Sequence, residues 1–168
     1  YVYGGGRCSD VSGNTNVELK GEGVHVYSVV GGGLVDEDEG AANVGKNTNI
    51  TISGGAWAGD TEVSSSQPDK IAVAGGGHIL SNDPSMIGTN SDIKTATTNV
   101  GGEVHITLNG ITGNLVDCIV GGCYDAGKSN AEKITGTTGP VKIDIDNCRF
   151  ESQFHRIFGG GYVAWGGN

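Results

Sequence analysis

The sequence predicts an all-β protein and, within that class, a parallel β-helix (β-solenoid) of about four irregular coils with inserted loops. Three observations lead to this prediction. Glycine makes up 32 of the 168 residues, a short string that ends in a glycine run recurs along the chain, and alternating apolar and polar segments separate these strings. A β-sandwich is the alternative, because short strands separated by turns also describe that fold.

The glycine runs recur along the chain, and each one follows a residue of the same type. They lie at 4–6, 31–33, 75–77, 121–122 and 159–161. The residue two positions before each run is β-branched, namely Val2, Val29, Val73, Ile119 and Ile157. β-branched residues favour strands, and glycine in such a pattern usually allows a bend or a close approach of backbones. We expect a short strand and a corner at each run. A phosphate cradle is the weaker alternative, because no Walker pattern occurs.

A second repeated string has the two-residue period of a strand with one buried face. It covers 14–19, 47–52, 102–108 and 140–145. A turn rich in Gly, Asn or Asp follows each copy, and these residues tolerate positive φ. The side chains expected to point into the core are Val17, Leu19, Ile50, Ile52, Val104, Ile106, Leu108, Val141, Ile143 and Ile145.

Stacking of these segments predicts columns of side chains on the solvent face. The first column is expected to hold Glu18, Thr51, His105 and Asp144, and the second Asn16, Asn49, Glu103 and Lys142. His105 and Asp144 are therefore candidate ligand-binding residues. Carboxylates on such a face can act in a polysaccharide lyase or hydrolase. Scattered charges on a solvated strand are the ordinary explanation, and we assign no catalytic residue.

The longer repeats differ from the shortest one by inserted segments. We interpret these as loops on a constant frame, and they fall at 34–46, 56–70, 78–101 and 124–139. The length fits one domain. Because Tyr1 already stands in a strand pattern, we expect 1–168 to be a glycine-rich repeat domain from a longer protein.

The charge balance bears on partners. Lys and Arg number 10 against 19 Asp and Glu, which gives a formal charge of −9. Nucleic acid is not an expected partner, because phosphate binding needs clustered basic residues. No apolar run reaches about 18 residues, so we expect no membrane span.

Cysteine and histidine are the metal-binding residue types to weigh. Disulfide candidates, which allow three pairings in a secreted chain, are Cys8, Cys118, Cys123 and Cys148. Zinc is the alternative, but the spacing of the closest pair is wider than that of a zinc knuckle and no paired histidines accompany it. The histidines at 25, 78, 105 and 155 are scattered, and we expect each at the surface or at a strand edge.

Two further groups of side chains are candidate binding residues. The aromatic residues Trp57, Tyr124, Tyr162 and Trp165 follow turns or glycine runs, where they can stack on sugar rings or cover the ends of the stack. Asp36 and Asp38 belong to the densest acidic run, which can bind Ca²⁺ through several oxygens or remain a solvated loop. No other cofactor is expected.

The repeats resemble the Gly-rich repeats of very large surface-exposed or secreted proteins of anaerobic gut and rumen bacteria. The string V-Y-G-G-G at 2–6 carries this resemblance together with G-N-T-N-V-x-L at 13–19, and 29–33 and 45–55 repeat the pattern. In the fourth repeat, Cys123 stands in place of a glycine. The resemblance implies an adhesin-like β-helical array, secreted or on the cell surface, without catalytic activity.

We therefore expect an extracellular structural or adhesive repeat module. Its partners would be a glycan or a host or cell-surface protein. Uncapped ends of the stack invite further strand pairing, which predicts end-to-end association into a homo-oligomer or fibre. The alternative functions are a carbohydrate-binding module that uses the loop aromatics and a β-helix polysaccharide lyase or hydrolase.

Overall fold

The computed structural model describes residues 1–35, 39–59, 71–79, 95–113, 118–125, 134–150 and 156–163. Over these ranges the chain forms strands and turns without a helix, which confirms the predicted all-β class. Every pair of strands in the described residues is parallel. The strands of a β-sandwich, by contrast, pair antiparallel.

Two sheets enclose the main core. The first, the glycine sheet, has the order β1 (Val2–Tyr3), β4 (Val29–Val30), β9 (Val73–Ala74), β14 (Cys118–Val120) and β19 (Arg156–Phe158). The second, the long sheet, has the order β2 (Thr15–Lys20), β7 (Thr48–Ser53), β12 (Val104–Asn109) and β17 (Val141–Asp146).

Shorter strands complete the described structure. The aromatic sheet consists of β5 (Leu34–Val35), β10 (His78–Ile79), β15 (Tyr124–Asp125) and β20 (Tyr162–Val163). A further sheet holds β6 (Glu39–Ala41), β11 (Thr95–Thr97) and β16 (Ile134–Thr135). Two pairs remain, β3 (His25–Val26) with β8 (Trp57–Ala58), and β13 (Thr112–Gly113) with β18 (Arg149–Phe150).

Strands from successive repeats therefore lie side by side, and we call each repeat a layer. The layers begin at β1, β4, β9, β14 and β19. In the glycine sheet the predicted β-branched residues are direct neighbours, in the order Val2, Val29, Val73, Ile119 and Ile157. This register confirms that equivalent positions of the repeats stack.

The alternating segments form the strands of the long sheet, as predicted. Their inward side chains fill the main core, and Ile50, Ile52, Ile106 and Leu108 are at most 1% exposed. Burying one such side chain contributes about 1.5–3 kcal/mol. Ile145 departs from the pattern because it is 38% exposed. It lies on β17, the edge strand of this sheet, so its next-layer neighbour is missing among the described residues.

The other face of the glycine sheet is buried as well. A second cluster contains Val30, Ile71, Ala74, Cys118 and Val120, with Tyr3, Tyr124, Phe158 and Tyr162 packed against it. A third, smaller cluster contains Val35, Ala42, Ile79 and Ala96. The middle strands of the glycine sheet, β4, β9 and β14, are thus covered on both faces, which explains why they are apolar at consecutive positions.

The glycine runs allow the layers to approach closely. The N–H groups of Gly5, Gly32, Gly76 and Gly122 donate to the carbonyl groups of Gly32, Gly76, Gly122 and Gly160, each at 2.9 Å. A Cβ at Gly32 would lie 2.7 Å from the nitrogen of Gly77, which is closer than any real side chain could come. This ladder supports the expected close approach of backbones at the runs.

The fourth run carries a cysteine because its facing residue is small. Ala42 lies opposite Gly33, and Thr98 lies opposite Gly77. In the next layer the arrangement is reversed, since a Cβ at Gly136 would lie 2.5 Å from the Cβ of Cys123. In this layer the larger side chain lies on the glycine run and the glycine lies on the facing segment. Gly136 therefore makes room for the side chain of Cys123 within the same layer.

Turns and a polar ladder hold the remaining corners. The turns after the alternating segments contain positive φ at Gly21, Gly54, Gly110 and Asn147, as predicted. A second corner, which the sequence pattern did not reveal, stacks polar side chains. The N–H of Asn43 donates to Asp10 Oδ1 at 2.8 Å, and the N–H of Asn99 donates to Asn43 Oδ1 at 2.8 Å.

Candidate functional site

The columns on the solvent face of the long sheet differ from the prediction. His105 lies between Asn49 and Lys142, and Thr107 lies between Thr51 and Asp144. The predicted columns, which placed His105 with Thr51 and Asp144 and placed Glu103 in the second column, are therefore wrong by two residues in the third layer.

The cause of this error is a buried threonine. Thr48 pairs with Val104 and is fully buried, although its side chain is polar. Its hydroxyl donates to the carbonyl of Gly75 at 2.7 Å, so burial leaves no unpaired group. Thr15 does the same with Gly31 at 2.6 Å. Because threonine is polar, the sequence pattern does not mark Thr48 as the first inward residue of β7, and a register counted from the first apolar residue is shifted by two residues.

His105 and Asp144 nevertheless meet diagonally across the sheet. His105 Nε2 donates to Asp144 Oδ2 at 2.8 Å, and Lys142 Nζ donates to the same oxygen at 2.7 Å. The hydrogen bond from Lys142, followed by that from His105, lowers the pKa of the Asp144 carboxyl below its usual value. A general acid needs a raised pKa. This site is therefore an exposed charge cluster with an ionised carboxylate at its centre.

Tyr124 and Tyr162 come together in the aromatic sheet. They are register neighbours, and their ring centroids lie 6.0 Å apart. The stack continues to His78, whose ring centroid is 4.9 Å from that of Tyr124. Both tyrosines are partly buried against the second cluster. They form part of the packing between sheets and expose only part of their rings.

The position of His78 differs from the prediction. It was expected at the surface or a strand edge but is 6% exposed. Its Nδ1 lies 3.1 Å from the hydroxyl of Tyr3, whereas its Nε2 is buried without a hydrogen-bond partner. Burial lowers the pKa of His78 from 6.5 to about 4, because the charged imidazolium would lose its hydration.

Trp57 lies elsewhere, in a group that we call the Tyr27 cluster: Tyr1, His25, Tyr27 and Trp57. The ring centroids are 6.4 Å apart for Tyr1 and Tyr27, 5.9 Å for His25 and Tyr27, and 3.2 Å for His25 and Trp57. Trp57 packs against the main core, not against the second cluster. The predicted aromatic residues that the structure describes thus belong to two separate groups.

Three members of the Tyr27 cluster were not among the predicted binding residues. His25 and Trp57 come together because β3 and β8 pair in register. Tyr27 follows β3 directly. The available signal was the H-V-Y string at 25–27, in which alternate residues are aromatic or imidazole rings.

The four cysteines are thiols in this structure. Cys123 Sγ donates to the carbonyl of Thr98 at 3.0 Å, and Cys148 Sγ donates to the carbonyl of Asp146 at 3.2 Å. Burial raises the pKa of the Cys123 thiol. Cys118 packs in the second cluster and Cys8 against the third. Disulfide formation under oxidising conditions stays a prediction.

Some predicted site residues lie outside the described residues, namely Asp36, Asp38 and Trp165. The Ca²⁺ site at the acidic run therefore stays a prediction. Within the ranges that the structure describes, no three His, Cys, Asp or Glu side chains converge as metal ligands. In the same ranges no helix has the length and apolar character to cross a membrane.

Comparisons with protein-family models, with curated proteins and with solved structures find no match to this chain.

Proposed function

We propose that the chain is a β-solenoid module of a secreted or cell-surface protein, with a structural and adhesive role. The repeated strand positions support this proposal. Equivalent strands of up to five layers pair in parallel register, and the same residue types recur at equivalent positions. A solenoid of this kind is an extended scaffold whose faces and loops are available for binding.

The observation that carries the proposal is the surface of the last described layer. A Cβ at Gly121 would lie 2.7 Å from the carbonyl oxygen of Gly159, and one at Gly122 would lie 2.5 Å from the nitrogen of Gly161. At Gly159 and Gly160, no atom lies within 4 Å of the corresponding position. Among the described residues, no layer covers the last glycine run in the way that the earlier runs are covered.

Exposed apolar side chains lie at the same end of the stack. Ile157, whose counterparts in three lower layers are buried, is 51% exposed, and Ile145 is 38% exposed. Open edges of parallel strands favour further pairing. A further layer, either from a neighbouring repeat or from a second copy of the chain, would bury both isoleucines. We infer that isolated copies associate end to end.

A pair of substitutions tests this association. Gly160→Val places a side chain on the uncovered run and should block the next layer, so we expect a monomer by sedimentation velocity. Thr51→Val is the control, because it changes a side chain on the solvent face of β7, in the second layer and away from both ends of the stack. It should associate like the wild type.

Two outcomes would contradict end-to-end association through this surface. One is a wild-type chain that stays monomeric over a wide concentration range. The other is a Gly160→Val chain that associates as strongly as the wild type. Circular dichroism on both variants shows that any difference does not come from unfolding.

A further inference from the structure

The Tyr27 cluster exposes aromatic rings that the fold does not require. Tyr1 is 76% exposed and Tyr27 is 56% exposed. Single exposed aromatic residues are common on protein surfaces, but here the two rings are stacked neighbours with an interplanar angle of 27°. A contiguous exposed aromatic patch is typical of a binding surface.

The base of the cluster is held in place. His25 and Trp57 are half-buried and stacked, and His25 Nε2 donates to the carbonyl of Gly59 at 2.8 Å. Trp57 packs against the main core. The cluster therefore combines a fixed base with exposed rings, and little conformational entropy would be lost when a ligand binds.

The chemistry of the cluster points to sugar rings. Aromatic faces contact the C–H groups of a pyranose, and tyrosine hydroxyls can form hydrogen bonds at the rim. Tyr1, His25 and Tyr27 belong to the first layer and Trp57 to the second. The two exposed rings, with centroids 6.4 Å apart, together offer one aromatic surface to a sugar.

The charge of the molecule indicates which glycans fit. With a formal charge of −9, the chain repels polyanions at moderate ionic strength. None of the four side chains of the cluster is a lysine or an arginine that could pair with a carboxylate or a sulfate. An uncharged glycan is not repelled by the net charge and needs no basic side chain as a partner.

We propose that the Tyr27 cluster binds a neutral glycan. This inference rests on the adhesive role proposed above and names its ligand class. Tyr1 and Tyr27 stack on the sugar units, while His25 and Trp57 support them.

The test uses soluble neutral polysaccharides as probes: mixed-linkage β-glucan, arabinoxylan and galactomannan, with polygalacturonate as the acidic comparison. Affinity electrophoresis identifies the retained probe, and calorimetry with its oligosaccharides measures Kd. We expect Tyr27→Ala to raise Kd about tenfold, since stacking on one ring is lost. Tyr27→Phe keeps the ring and should stay within about threefold of the wild type.

Tyr162→Ala is the matched control, because it removes a tyrosine from the other aromatic group. It should leave Kd unchanged. Gly160→Val separates the two proposals, since it should abolish self-association while keeping the Kd for the oligosaccharide. Tyr27→Ala should have the opposite pair of effects.

Three results would overturn the glycan proposal. The first is a wild-type chain that none of the neutral probes retards. The second is a folded Tyr27→Ala variant that binds as tightly as the wild type. The third is retention of polygalacturonate alone, which would assign the surface to acidic ligands or to another site.

Discussion

His78 lies between Tyr3 and Tyr124, buried and neutral. Sequence spacing could not have shown this, because Tyr3 comes from the first layer, His78 from the third and Tyr124 from the fourth. A ring nitrogen without a partner is costly when the ring is buried. The stack of aromatic rings offsets this cost through packing.

The first prediction concerns the acid stability that follows from this burial. Folding lowers the pKa of His78 from 6.5 to about 4, so the unfolded chain binds a proton at this ring more readily than the folded protein does. Above about pH 6.5 the ring is neutral in both states and stability is unaffected. As the pH falls from about 6.5 to about 4, the free energy of unfolding decreases by about 3 kcal/mol in total. Urea unfolding of the wild type and of His78→Phe over this range measures it.

The difference between the two chains isolates His78 from the carboxylates, which titrate in both. We expect the stability of His78→Phe to fall less steeply between pH 6.5 and 4 than that of the wild type. Identical pH profiles would show that the pKa of His78 is the same in the folded and unfolded states, which would contradict the effect of burial.

A second residue-scale prediction concerns Cys123 and Gly136. Gly136→Ala places a methyl group against the Cys123 side chain, and we expect a loss of about 1–3 kcal/mol. Adding Cys123→Gly restores the arrangement of the second layer, where Gly33 faces Ala42. The double variant should recover most of the loss, as measured by a double-mutant cycle. A double variant no more stable than Gly136→Ala would contradict the compensation.

At the scale of strands, the glycine runs are the contacts least tolerant of change. The neighbours of a Cβ at Gly32 would be backbone atoms at 2.7 and 2.8 Å, which a side-chain rotation cannot move. Gly32→Ala should therefore cost about 3 kcal/mol or more in the free energy of unfolding. Thermal or urea unfolding checks this third prediction.

Gly13→Ala provides the comparison, because no atom lies near its added methyl group. We expect its effect to stay within about 1 kcal/mol, since alanine also restricts the unfolded chain. Equal effects of the two substitutions would show that the ladder of runs does not determine the spacing of layers.

The strands show which features of the fold the sequence patterns could predict and which they could not. Period-2 alternation predicted the inward residues of the long sheet, because a pleated strand alternates its faces whatever its neighbours are. The register of β12 was not predictable in this way. It depends on Thr48, whose hydroxyl is satisfied by Gly75 from the next layer, a contact that exists only after the layers have stacked.

At the scale of the whole molecule, the stacking of repeats followed from the β-branched residues that precede each glycine run. The Tyr27 cluster did not follow from the sequence, although each of its residues is visible there. Strands β3 and β8 have only two residues each, too few for a periodic signal. The turns that position them use positive φ at Gly21, Gly23, Gly54 and Gly55, and short strands with such turns leave the register open.

The direction of the hydrogen bonds determines how the stack of layers responds to a pulling force. In parallel sheets the bonds between layers run along the stacking direction, and the strand pairs join each layer to its neighbours. A force that separates the first layer from the last therefore loads every ladder of one interface together, and the weakest interface opens first. Each opening releases the chain length of one layer, inserted loop included. Under tension we expect such a chain to lengthen in discrete steps.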